Sequence, residues 1–85
     1  MTEPMFDVDA ALLTAVLRDP AALDEVRAIV QPEDFRRAQH RAIFEAVVAV
    51  AGRGVTVDEV TGNAELDAVG KLAGVGGPAA IVELE

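Results

Sequence analysis

From Val8 onward apolar residues recur three and four positions apart, the period of an amphipathic α-helix; the alternation of a half-buried strand shows only at Val55-Thr56-Val57. Val8, Leu12, Leu13, Val16 and Leu17 predict a first helix over Asp7–Leu17, with Asp7 placed to accept its orphan N–H groups. Asp19-Pro20 predicts the next start, a cap followed by proline at the first helical position. Leu23, Val26, Ile29 and Val30 mark the buried side of this second helix, which runs to about Val30. Gln31-Pro32 stops it, because proline lacks the N–H that continues the ladder and disfavours helical geometry in the residue before it.

Pro32-Glu33-Asp34-Phe35 reads as a tight turn or single helical turn that delivers Phe35 to the core, with Asp34 able to cap the next helix. A long central helix then starts near Arg36, striped by His40, Ile43, Phe44, Val47, Val48 and Ala51. Gly52-Arg53-Gly54 ends it by offering a left-handed residue, after which Val55 folds back on the last turn. Thr56 or Asp58 caps a weaker fourth helix through Val60, Leu66 and Val69, whose first turn Gly62-Asn63 weakens. Gly70, Gly74, Gly76 and Gly77 make a loop, and Pro78 opens a short last helix with Ile81, Val82 and Leu84.

The expected fold is therefore all-α: a compact bundle of about five short helices around one long central helix. Composition agrees with it. Of the 44 apolar residues 16 are Ala and 13 are Val, with three Phe and no Trp or Tyr, so the core is built from small side chains at close spacing. Eighty-five residues suffice for one domain, 1–85, with residues 1–6 expected as a flexible lead-in and Leu84-Glu85 having the form of a cloning scar. No cysteine is present, which excludes disulfides, thiolate metal sites and a cysteine nucleophile, and fits a cytoplasmic setting.

Charge narrows the function classes. Seven basic against 15 acidic residues give −8, the wrong sign for tight binding to nucleic acid phosphates. The longest apolar run, Ala46–Ala51, is far short of the roughly 20 residues that cross a bilayer, so no membrane partner is expected. The middle of the chain, from Arg18 to Arg53, holds six Arg and six acids, whereas both ends are acidic. Arg36, Arg37 and Arg41 at the start of the central helix are the candidate partner-binding residues; the plainer alternative is a solvated face with an Arg41–Glu45 pair, worth about 0.2–0.5 kcal/mol.

Catalytic motifs fail when tested. Gly70-Lys71 lacks the earlier glycine of a P-loop, where Glu65 stands, and the following Ser or Thr, where Leu72 stands. Gly74-Val75-Gly76-Gly77-Pro78-Ala79 has glycines at dinucleotide-binding spacing, but no strand precedes it and Pro78 removes a donor, so no cofactor is expected. His40, the single histidine, lies six positions from Asp34 and reads as a packed, hydrogen-bonded helix residue rather than a metal ligand. Asp24-Glu25 and Glu33-Asp34 point to different faces as adjacent helical residues do, and no aromatic pocket is available to raise a general acid's pKa.

These residues resemble the globular N-terminal domain of the DnaB-type replicative DNA helicases, over about Val8 to Leu84. The likeness lies in the Asp19-Pro20 start with Leu23 and Val26, then Asp34-Phe35, His40-Arg41 and Ile43-Phe44-Glu45-Ala46. Gly54, Val57-Asp58 and Gly70-x-Leu72-x-x-Val75-Gly76-Gly77 come next in the family's order and spacing. Three departures stand out: Asp9-Ala10 and Leu13-Thr14 replace usual Glu-Gln and Leu-Gly pairs, and Gly62 stands where leucine is common.

The resemblance makes Asp34, Phe35, His40, Ile43, Phe44, Gly54, Asp58, Gly76 and Gly77 a structural signature. It implies a non-catalytic interaction and assembly domain in the collar of a hexameric helicase, where primase, loader proteins and neighbouring helicase subunits dock. It also implies that a helical hairpin and an ATPase motor belong to a longer parent. The rival reading is a stand-alone acidic helical regulator or adaptor without a motor. In either case the isolated chain is expected to be a monomer or weak dimer, since one face of each helix is used for its own core.

The failed P-loop carries a first prediction. Calorimetric titration of the chain with ATP should show no saturable binding tighter than about 100 μM, a threshold of roughly −5.5 kcal/mol, and tighter binding would overturn the reading.

Overall fold

The computed structural model describes residues 8–19, 21–77 and 79–84, excluding the side chains of Val8 and residues 82–84. The expected lead-in at residues 1–6, the Asp7 cap, Pro20, Pro78 and Glu85 lie outside the described residues. Five α-helices are present among these: α1 (Val8–Arg18), α2 (Ala22–Ile29), α3 (Ala38–Gly52), α4 (Glu59–Ala68) and α5 (Ala79–Leu84). Two 3₁₀ turns, Pro32–Asp34 and Ala73–Val75, join them, and no described residue is in a strand. No described helix is long and apolar enough to cross a membrane.

The longest helix, α3, is the hub. His40, Ile43, Phe44, Ala46, Val47 and Val50 are buried along it, and α1, α4 and both 3₁₀ turns pack against it. Leu13 and Val16 from α1, Leu66 from α4, Val57 and Val75 from the loops and Ile81 from α5 complete one continuous core. Valine supplies six of the fourteen core residues, but Ala46 is the one fully buried alanine among the described residues; the expected alanine-built core is therefore corrected, because a methyl group removes little area from water and does not by itself decide which face of a helix turns inward.

Helix ends obey local chemistry. Gly54 is left-handed at φ 74°, its N–H donates to the Ala51 carbonyl and the Val55 N–H donates to the Val50 carbonyl, which is a Schellman ending. Gly70 repeats the arrangement after α4, where Lys71 N–H reaches the Leu66 carbonyl at 2.8 Å. Asp58, not Thr56, caps α4: its Oδ1 accepts from Thr61 N–H at 2.8 Å while Thr61 Oγ1 accepts from Asp58 N–H at 2.9 Å. Thr61, three residues on, thus completes the capping box that Asp58 opens.

Four further expectations change. The long helix begins at Ala38 rather than near Arg36, because Arg37 keeps an extended backbone. Ile29 is 78% exposed, since successive steps of three drift backward round a helix by about 60° each; Val30 returns toward the stripe and is half-buried. Val60 and Val69 are likewise exposed, and α4 buries Gly62 and Leu66, four residues apart. Gly62 does not weaken the helix start without purpose: a Cβ there would lie 2.7 Å from Ile81 Cδ1, so the glycine is the notch that seats α5.

Phe44, 2% exposed, packs edge-on against Phe35 with ring centres 4.9 Å apart at 81°. Phe44→Ala is expected to cost about 3–5 kcal/mol. Thermal unfolding should show a midpoint lowered by roughly 12 °C or more, and an unchanged midpoint would remove Phe44 from the core.

Candidate functional site

The three candidate arginines lie where the chain passes from α2 into α3, and local hydrogen bonding gives them different roles. After α2 the 3₁₀ turn Pro32–Asp34 closes with Asp34 Oδ2 accepting from Gln31 N–H at 2.9 Å. Asp34 therefore caps backward, not forward as expected. Phe35 and Arg37 are extended after it, so the first amides of α3 are beyond the reach of its short side chain. Asp9 of α1 reaches the junction from a distant part of the chain, its Oδ2 accepting from Arg36 N–H at 3.0 Å.

Phe35 and His40 turn inward, at 1% and 3% exposure, and Arg36 and Arg37 between them are exposed. Arg41, one turn into α3, is only half-exposed. Its Nε donates to the Pro32 carbonyl at 3.3 Å and its Nη2 to the Phe35 carbonyl at 3.1 Å. The guanidinium thus ties the carbonyl that opens the 3₁₀ turn to the one just after it, instead of pairing with Glu45. Glu45 faces Lys71, with Nζ 3.5 Å from Oε1.

His40 is packed as expected, but its Nδ1 has no hydrogen-bond partner. Burial of the ring on α3, at 3% exposure, shuts that nitrogen off from water as well. The remaining signature residues take backbone and core roles: Ile43 is buried on α3, Gly54 ends α3, Asp58 caps α4, and Gly76 and Gly77 are left-handed at φ 111° and 85°. Asp9 was missed by sequence reasoning, for its partner is 27 residues away and no periodicity signals it.

The sequence profile of the DnaB-like helicase N terminal domain family matches residues 3–85. The chain is 47% identical over 78 residues to a replicative DNA helicase DnaB of Geobacillus stearothermophilus, covering 92% of this chain and 17% of that protein. It is 35% identical over 71 residues to the replicative DNA helicase DnaC of Bacillus subtilis (strain 168), covering 84% of this chain and 16% of the relative. The crystal structure of the N-terminal domain of DnaB helicase from Mycobacterium tuberculosis superposes with a TM-score of 0.85 at 33% identity, over 96% of this chain and 58% of that one. The chain thus spans about one sixth of the length of these two relatives.

Arg41→Ala removes both carbonyl contacts from the turn and should destabilise the chain by about 1–3 kcal/mol in urea unfolding. Arg36→Ala, an exposed side chain whose backbone bond to Asp9 survives the change, should stay within about 0.5 kcal/mol. Equal effects for the two variants would refute the division of roles.

Proposed function

The chain belongs to the DnaB-like helicase N-terminal domain family, and on that premise we propose that it is a non-catalytic protein-interaction and assembly domain of a replicative DNA helicase. One observation carries this reading: the family match runs over residues 3–85, yet the 78 residues aligned with a helicase relative cover only 17% of that relative. A P-loop is missing from the sequence, and the signature residues serve helix ends and the core, so the chemistry open to the domain is recognition through its surface. Its place is the collar of a bacterial helicase in the cytoplasm, acting in DNA replication. Its partners are primase, helicase loader and neighbouring helicase subunits. Arg36 and Arg37, exposed at the start of α3, are the docking cations, while Arg41 holds the turn that presents them.

The test is calorimetric titration of the domain with purified primase, loader and full-length helicase of the source organism. Binding to at least one at about 1–100 μM is expected, the strength of a small transient interface. Arg36→Glu with Arg37→Glu should weaken it about tenfold, or 1.4 kcal/mol. No binding to any of the three overturns the proposal and leaves the stand-alone regulator. Sedimentation equilibrium at two salt concentrations should find the isolated chain monomeric or weakly dimeric; a stable hexamer would place the ring contacts in this domain.

A further inference from the structure

Beside the arginines, the first half of α3 and the glycine-rich loop after α4 enclose an open groove of about 320 Å³. Ala38, Ala42 and Glu45 line one wall at positions i, i+4 and i+7, so the groove tracks the helix axis for roughly 10 Å, about two turns. Gly70, Gly74 and Val75 form the facing wall.

Gly74 is the informative residue. Its backbone is not left-handed, so conformation does not demand glycine there, and a Cβ at this position would meet nothing within 4 Å. Neither the turn nor the packing of the chain requires the missing side chain. Its consequence is space in the groove.

Charge identifies the occupant. Acids outnumber bases 15 to 7 in this chain, yet Arg41 and Lys71 line the groove and Arg36 and Arg37 immediately precede Ala38 on its wall. Two of the seven cations therefore line this one narrow feature, and two more adjoin its wall in sequence. The lining acid is Glu45, held to Lys71 at 3.5 Å with both side chains about half exposed, a bridge weak enough to be exchanged for a partner's carboxylate.

We propose that this groove docks an acidic amphipathic helix of a partner protein, an aliphatic side chain entering over Ala42 and Gly74 and a carboxylate one turn away meeting Lys71. The recognition is helix-in-groove, with small residues and glycine backbone allowing close approach. A second copy of the chain is disfavoured by the repulsion of two domains at −8 each. The inference rests on the interaction role proposed above and assigns it a partner chemistry.

The probe is a capped helical peptide of about 15 residues carrying Glu and Leu four positions apart, with a control in which every Glu is Lys. Amide NMR shifts of the isotope-labelled chain should move at Ala42, Gly70, Gly74 and Val75 on adding the acidic peptide, and not the control. Gly74→Leu, which fills the groove, and Lys71→Glu should each weaken binding about tenfold with an unchanged thermal midpoint. The proposal fails if the acidic peptide moves none of these amides at millimolar concentration, if both peptides bind alike, or if folded variants bind as well as the original. Shifts at the same amides that depend on the chain's own concentration would also overturn it, by making a second copy the occupant. If Gly74→Leu leaves titration with primase, loader and helicase unchanged, the groove is refuted while the interaction role stands. If the unaltered chain takes the acidic peptide at these amides but binds none of the three proteins, the groove stands and the helicase role fails.

Discussion

Burying Phe35 against Phe44 constrains everything around the start of the central helix. With no Trp or Tyr in the chain, these are the two largest fully enclosed side chains among the described residues, and their edge-to-face contact fixes where the connection from α2 must meet α3. To deliver Phe35 inward the backbone ends α2, makes one 3₁₀ turn and bends at Arg36 and Arg37 before α3 can begin. Arg36 and Arg37 are exposed as a consequence, lying between the inward Phe35 and the inward His40. Arg41 then reaches back to the Pro32 and Phe35 carbonyls on either side of the turn, and Asp9 takes the Arg36 N–H. The candidate docking cations are positioned by the packing of an aromatic pair.

Small residues set the second constraint. A core whose commonest residue is valine reaches dense packing only if its helices approach closely, and the chain provides the room at chosen places. Gly62 seats Ile81 and so brings α5 onto α4, accepting the roughly 1 kcal/mol that glycine costs inside a helix. Gly54 and Gly70 reverse the chain at the ends of α3 and α4, where the left-handed backbone suits a residue without a side chain. Arg53 also pairs with the mostly buried Glu65 at 2.8 Å, holding the end of α3 to α4.

The chain belongs to the DnaB-like helicase N-terminal domain family, and within its fold Phe35, His40, Ile43 and Phe44 lie in the interior while Gly54 and Asp58 serve helix ends. At Gly62 the space a side chain would take is occupied by the tip of Ile81. Charge on the outside is arranged independently of the core, which is how a strongly acidic domain still offers a face of gathered cations.

The sequence by itself determined the all-α class, the central helix, the turn at Pro32–Asp34, the burial of Phe35 and Phe44 and the glycine ending at Gly54, because periodicity and turn chemistry act over a few residues. The ordered signature from Asp34 to Gly77 was legible too, and it carried the family. Tertiary structure alone decided the rest. Whether Ile29, Val60 and Val69 are buried depends on where α2 and α4 settle, not on their own apolar character. The use of Asp9 at a junction 27 residues away, the engagement of Arg41 by carbonyls rather than by Glu45, and the notch at Gly62 all join residues that the chain brings together only on folding. The groove at Gly74 was likewise invisible, since it is a space between two elements and no local pattern encodes a space.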